Sequence, residues 1–220
     1  MSTLRKGDCG KMESLSIITP VTRMGNLREI AESIAKAQEK TDFFDITWYC
    51  IFDCEEYGHV QLPHDVGIFI FARPCFSGWT FKENNGTHFQ VKAQGWGAKQ
   101  RNYALSQISD GWVCFLDDDN IMSEDFLADL ADEIKSNPDK QAFVFDQYNK
   151  GPNLRLKAAF ENIKVMGIDT AQFVLHRKLI GATKWPDKQC GDGLIAEELY
   201  KFNPEAFKIG KGRVWYNYLR

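Results

Sequence analysis

The chain has 220 residues, a formal net charge of −3, 44% hydrophobic residues and 26% charged residues. That length suits one domain with a substantial core, and the composition is that of an ordinary globular protein. The small negative balance excludes a long-range pull toward nucleic acid or anionic membrane, and no apolar stretch approaches the roughly 20 residues of a membrane span.

Residues 1–12 are polar and read as a loose tail. A buried strand is predicted over 15–19, ending at Pro20, which cannot continue a central strand. A helix follows from Asn26, with Leu27, Ile30, Ala31 and Ile34 on one face and charges on the other. Strands are predicted over 46–52 and 66–71, the second halted by Arg73-Pro74, and 75–97 reads as a long surface loop, of a kind that is often functional or mobile. A helix over 98–108 leads through Ser109-Asp110-Gly111 into a strand over 112–116 that is apolar on both faces. Ser123 is the expected cap of the next helix, which Asn137-Pro138 ends. Strands near 142–145 and 172–175 and a helix near 194–202 complete the reading. Alternating strand and helix argues for an α/β fold with a mainly parallel central sheet flanked by helices, and a less regular C-terminal third.

The six cysteines (Cys9, Cys50, Cys54, Cys75, Cys114, Cys190) form no C-x-x-C pair, and several lie in apolar runs. This predicts reduced thiols and no disulfide framework. The N-terminus has charges but no apolar h-region, so no signal peptide is visible and the expected location is cytoplasmic.

The sharpest feature is Phe115-Leu116-Asp117-Asp118-Asp119-Asn120. Three carboxylates follow an apolar strand, so they lie at its C-terminal end, where open α/β sheets bind ligands. Two carboxylates about 5 Å apart repel by roughly 3 kcal/mol at an effective dielectric near 20. A half-buried triplet therefore calls for a cation, and Mg²⁺ or Mn²⁺ bridges carboxylates to phosphates. The plainer alternative is a solvated acidic turn. An EF-hand is excluded, because Ile121 and Met122 stand where that loop needs a ligand and a glycine.

Ser16-Ile17-Ile18-Thr19-Pro20-Val21-Thr22, then Lys99-Gln100-Arg101-Asn102, then the acidic motif, resemble the nucleotide-sugar glycosyltransferases of the GT-A fold. Order and spacing are similar to the large family that includes the chitin, cellulose and hyaluronan synthases. Gln100-Arg101-Asn102 and Asp117 to Asn120 also resemble the glucuronyltransferases of proteoglycan synthesis. The resemblance spans residues 15 to 130, with a weaker echo to 200. It implies a single GT-A catalytic domain over 13–220, with a nucleotide-binding half at 13–120 and an acceptor half at 121–220. It further implies that Thr19, Pro20 and Thr22 contact the nucleoside and that Asp53 binds base or ribose. Arg101 then supports the nucleotide, Asp117 and Asp118 touch the nucleoside, and Asp119, with Asp117, holds Mn²⁺ or Mg²⁺. Taken singly, the threonines are ordinary turn residues, Asp53 a turn acid and Arg101 a solvated helix residue; their co-occurrence in order carries the reading.

An inverting transfer needs a carboxylate to take the acceptor's proton. Asp192, in Cys190-Gly191-Asp192-Gly193-Leu194, resembles the acidic pair that carries the base, with glycine in place of one acid. A helix cap is the alternative role for Asp192, and Glu197 or Glu198 are alternative bases. His176, Lys208, Lys211 and Arg213 are candidates for the diphosphate, against a structural role for the histidine and a solvated basic tail for the other three. Trp79, Trp96, Trp185 and Trp215 are candidates for stacking on sugar rings, against plain core or interface roles. The expected function is transfer of a sugar from a nucleotide-sugar, a UDP-sugar favoured, to a glycan or other hydroxyl acceptor. A sugar-nucleotide pyrophosphorylase would need a Gly-rich loop after the first strand, which is missing. A non-catalytic nucleotide- or glycan-binding module is the alternative from another class.

Overall fold

The computed structural model describes residues 12–52, 69–72 and 97–220. The tail before Met12, Cys9, Asp53, Cys54, the start of the predicted strand at 66–68, Arg73-Pro74 and the predicted loop over 75–96, with Cys75, Trp79 and Trp96, lie outside the described residues.

Strand β1 (Glu13–Val21) is buried from Leu15 onward. It runs parallel between β2 (Phe44–Phe52) and β4 (Trp112–Phe115), and β3 (Phe69–Ala72) adds in parallel outside β2. Beyond β4 the sheet continues with β7 (Phe173–His176), β5 (Ala142–Tyr148) and β6 (Leu154–Leu156), and β8 (Phe207–Trp215) pairs with β5. β7 is antiparallel to both β4 and β5, whereas β8 is parallel to β5. The sheet is thus mostly parallel, as expected.

Successive strand residues enter opposite cores, the consequence of a side-chain period of two. Ile17 and Cys114 join α1 (Leu27–Gln38) and α3 (Phe126–Ser136) on one face. Ile18 and Phe115 join α2 (Ala98–Gln107), the short α4 (Arg177–Ile180) and α5 (Gly191–Phe202) on the other.

Three local expectations are corrected. β1 continues through Pro20 to Val21. The carbonyl of Ile18 accepts from Leu116 N, so Ile18 bonds toward β4 and, two residues on, Pro20 faces the same side after β4 has ended. Its missing N–H therefore removes no ladder bond. Ser123 does not cap α3: its carbonyl accepts from Phe126 N in a preceding turn, and the helix starts at Phe126 without a side-chain cap. The basic stretch around Lys208 and Arg213 is not a tail but strand β8. Its hydrophobic signal is diluted by two glycines that packing requires. A Cβ on Gly210 would lie 2.5 Å from the Phe145 ring, and Gly212 has φ 135° beside Asp129.

Of the cysteines, Cys50 and Cys114 are buried free thiols, and burial pushes Cys114 up to about 12. Among the described residues, no helix is long and apolar enough to cross a membrane.

Gly111, at φ 89°, turns the chain into β4 against the start of β1, and a Cβ there would sit 2.6 Å from the Ser14 carbonyl oxygen. Gly111→Ala is expected to cost about 1–3 kcal/mol from left-handed strain and backbone collision. Urea unfolding of the variant checks this; an unchanged midpoint would contradict the described turn.

Candidate active site

The β1–β4 ladder ends at the Leu116 N–H to Ile18 carbonyl bond of 3.0 Å, and the chain then turns, with Asn120 N donating to the Asp117 carbonyl at 3.0 Å. The turn sends the three aspartates to three different partners.

Asp118 is 4% exposed and fully engaged. Its Oδ2 accepts from Thr22 N at 2.5 Å, Thr22 Oγ1 at 2.8 Å and Arg23 N at 2.6 Å, while Oδ1 accepts from Arg23 NH1 at 2.6 Å. Asn26 Nδ2 donates to the Asp118 carbonyl at 2.8 Å. Charge-assisted bonds of this kind are the strong ones, so Asp118 clamps the end of β4 to the turn after β1. Thr22 acts here as a donor to Asp118. Thr19 is fully buried and its hydroxyl accepts from Trp48 Nε1 at 2.8 Å, so its side chain serves the core. Pro20 lies under Gly97, at the start of α2.

Asp117 is held on Oδ1 by Arg101 NH2 at 2.5 Å and keeps 31% of its side-chain surface. Burial pushes its carboxyl up to about 6; the Arg101 charge opposes this, while the nearby charges of Asp169 and Asp119 add to it. Arg101 is itself buried, with its guanidinium 4.7 Å from the centre of the Trp185 ring. Asn102 grips the same segment through both amide atoms, accepting from Trp185 N at 2.6 Å and donating to its carbonyl at 2.9 Å. Trp185 also meets the rings of Phe115 at 4.8 Å and Phe173 at 6.0 Å. At 4% exposure it is a floor beneath Arg101 rather than an open stacking surface. Trp215 pairs with Tyr218, with centroids 5.3 Å apart.

Asp119 is 5% exposed. Its Oδ2 receives Arg220 NH2 at 2.6 Å and Arg23 NH1 at 3.4 Å, and its carbonyl accepts from Leu219 N at 2.9 Å. Sequence reasoning missed Arg23 and Arg220, since lone arginines carry no spacing signal.

Asp192 lies in the first turn of α5, half-buried, its Oδ1 accepting from Gly193 N at 2.8 Å. The cap position belongs to Cys190 in a left-handed conformation, so Asp192 is not the helix cap. Burial raises its pKa, the Gly193 N–H lowers it, Asp169 raises it and Arg101 lowers it. The glycine that replaces the second acid has a steric reason: a Cβ on Gly191 would lie 2.7 Å from the Pro186 carbonyl oxygen and 3.0 Å from Trp185 Nε1. The alternative bases point elsewhere. Glu197 accepts from Val165 N at 3.1 Å and Lys201 Nζ at 2.5 Å, and Glu198 is exposed.

Asp169 was not anticipated. The antiparallel register Cys114↔Val174 sets the turn before β7 beside the end of β4, and Asp169 caps that turn in a box with Gln172. Its carboxylate accepts from Gln147 Nε2 at 2.9 Å and Arg155 NH1 at 3.0 Å. The Asp169-Thr170-Ala171-Gln172 spacing was a readable signal for the cap, though not for the site.

Of the other diphosphate candidates, His176 ends β7 and the three basic residues lie on β8. His176 pairs with Trp112 at the opposite end of β4, 3.9 Å from Asp110, in keeping with its structural alternative. Lys211 N bonds Glu133 of α3 at 2.9 Å, and Arg213 lies 5.9 Å from the Tyr148 ring.

Among the described residues, no three acidic, histidine or cysteine side chains cluster tightly enough to hold a cation alone. Asp117 Oδ2 and Asp119 Oδ1 receive no hydrogen bond among them, and the neighbouring Asn120 Oδ1 is buried without a partner. Such hard oxygen donors fit a divalent ion whose shell is completed by ligand oxygens.

A family model for glycosyl transferase family 2 matches residues 81–185, a little under half of the chain. The S. aureus TarS 1-349 structure in complex with UDP-GlcNAc superimposes with a TM-score of 0.63 at 15% identity, covering 92% of this chain and 58% of that one. Its complex with UDP gives 0.60 at 17% identity, covering 92% and 60%. The mannosyltransferase PcManGT from Pyrobaculum calidifontis, in complex with GDP-Man and Mn²⁺, gives 0.61 at 11% identity, covering 94% and 58%. The chain thus spans about three fifths of these solved chains, and 36% of the longer TarS structure. No curated protein sequence gives a significant match. The fold is the GT-A fold. The matched segment is similar to glycosyl transferase family 2, and the fold is the one these glycosyltransferase structures share.

Asp117 has a folded-state pKa above its ordinary value of 3.8, so its ionisation costs stability, which is lost as pH rises from about 4 through about 6. Asp117→Asn removes that ionisation. Relative to the native chain it should gain on the order of 1–2 kcal/mol between pH 4.5 and pH 7.5, after discounting for the exposed part of the side chain. Unfolding at both pH values tests the sign, and an equal effect at the two would contradict it.

Proposed function

We propose that this domain transfers a sugar from a nucleotide-sugar, a UDP-sugar favoured, to a hydroxyl of a glycan or glycoconjugate. The observation that carries the reading is the division of labour in the acidic motif. Asp118 is consumed in holding the turn, while Asp117 and Asp119 each keep one oxygen that receives no hydrogen bond among the described residues, at the ligand-binding end of the sheet. The nucleoside side is assigned to Pro20, Thr22, Asp53, Arg101 and Asp117, with Thr19 and Asp118 shaping it from beneath. The donors held by the structural neighbours, UDP-GlcNAc and GDP-Man, support a nucleotide-sugar without choosing the sugar.

Asp119 and Asp117 are the residues that would hold Mn²⁺ or Mg²⁺, as the presence of Mn²⁺ in one neighbour supports. A divalent ion there supplies Lewis-acid neutralisation of the charge developing on the departing diphosphate. Arg101, fixed on Trp185, keeps Asp117 oriented toward the nucleotide. Asp192 is the proposed base. Burial raises its pKa, which makes its carboxylate a better proton acceptor than that of an exposed aspartate. It takes the proton of the acceptor hydroxyl as that oxygen bonds to the anomeric carbon and the bond from that carbon to the diphosphate breaks.

Calorimetric titration with UDP, GDP and dTDP, each with Mn²⁺ and with EDTA, tests the donor site. Metal-dependent binding of one of them is expected, together with its loss in Asp119→Ala. Asp192→Asn should retain that binding and lose roughly 10²–10⁴-fold in transfer or donor hydrolysis. Tight nucleotide binding with no turnover in the native chain would instead favour a non-catalytic binding module, and unchanged Mn²⁺-dependent affinity in Asp119→Ala would refute the metal assignment.

A further inference from the structure

Two guanidinium groups from distant parts of the chain converge on one oxygen of Asp119: Arg220 at 2.6 Å and Arg23 at 3.4 Å. The segment that delivers Arg220 is tied down at every step. Tyr216 N bonds the Tyr148 carbonyl at 2.9 Å, and Asn217, at φ 48°, turns the chain so that Arg220 N reaches the Asn217 carbonyl at 3.2 Å. Tyr218 lies between the Trp215 ring and Lys150, whose Nζ is 4.7 Å from its centre. Leu219 packs on the core beneath α1 and α3 and donates its N–H to Asp119.

The arginine is thereby aimed, yet it is not used up. Its side chain keeps 52% of its surface, and Arg23 keeps 43%. A guanidinium carries five N–H donors in a fixed fork, a shape that suits phosphate oxygens. Both arginines bind Asp119 through Oδ2, and among the described residues nothing bonds Oδ1, the oxygen a cation would take.

We propose that Arg220, seconded by Arg23, is a diphosphate-binding residue of the donor site. Its contact with Asp119 neutralises that carboxylate, and with a nucleoside diphosphate seated against Asp117 and Asp119 its remaining donors meet the phosphate oxygens. The protein then supplies part of the positive charge for the leaving group from its own chain. This rests on the glycosyltransferase reading above. A different role, as a latch that merely orients Asp119, makes an opposite prediction about the metal.

The test is calorimetry of UDP binding to the native chain, Arg220→Gln and Arg220→Lys across a series of Mn²⁺ concentrations, with thermal melts confirming that each variant is folded. Arg220→Gln should weaken UDP binding at saturating Mn²⁺ about tenfold or more, without raising the Mn²⁺ concentration needed for half-maximal binding. Arg220→Lys should recover most of the loss. Undiminished UDP affinity at saturating Mn²⁺ overturns the assignment, and so does a loss that saturating Mn²⁺ restores, which is the behaviour of a latch. A native chain that binds UDP, GDP and dTDP with no measurable affinity overturns the donor-site reading itself, and this assignment with it.

Discussion

The site depends on one buried carboxylate. Asp118 gathers two backbone N–H groups, a hydroxyl and a guanidinium from the Thr22–Arg23 turn, so the ends of β1 and β4 are locked together at the edge where the sheet opens. A buried charge is tolerable only when its hydrogen bonds are satisfied, and removing its partners would leave a large desolvation penalty. With Asp118 fully committed, its neighbours on either side must project to different places. Asp117 goes to Arg101 on α2, and Asp119 goes to Arg220 and Arg23.

Like charges crowded at a strand end need compensation, and the chain provides it with arginines on different elements. Arg101 is braced on Trp185, which is in turn wedged between Phe115 and Phe173 and tied to Asn102. Asp169 is held by Gln147 and Arg155, the latter stacked 3.5 Å from the Tyr216 ring. Burial raises the pKa of both Asp117 and Asp192, and the nearby charge of Asp169 adds to each. The same Trp185 segment sets the floor for α5, so that Gly191 can only be glycine and Asp192 opens the helix at a defined place.

Much of the fold was legible because its signals are local. The apolar strands at 15–19, 46–52 and 112–116 and the amphipathic helices carried their periodicity openly, and the order strand, helix, strand implied the parallel half. The antiparallel insertion of β7 and the return of β8 onto β5 were not legible. β8 carries Lys208, Lys211, Arg213 and two glycines, and only its packing on Phe145 and α3 reveals why a strand forms there.

By itself the sequence determined that three carboxylates follow a buried strand, that an arginine stands one helix earlier, and that an aspartate opens a late helix. Those facts follow from spacing along the chain, which hydrophobic periodicity and turn chemistry encode directly. Only the tertiary structure decided which aspartate is a clamp and which keep an oxygen without a hydrogen bond among the described residues, that His176 lies at the far end of β4, and that Asp169, Arg23 and Arg220 come to the end of the sheet where the acidic motif lies. Each of those is a contact between residues far apart in the chain. The energy of such a contact is set by burial and geometry at the sheet's open end, which no local pattern records.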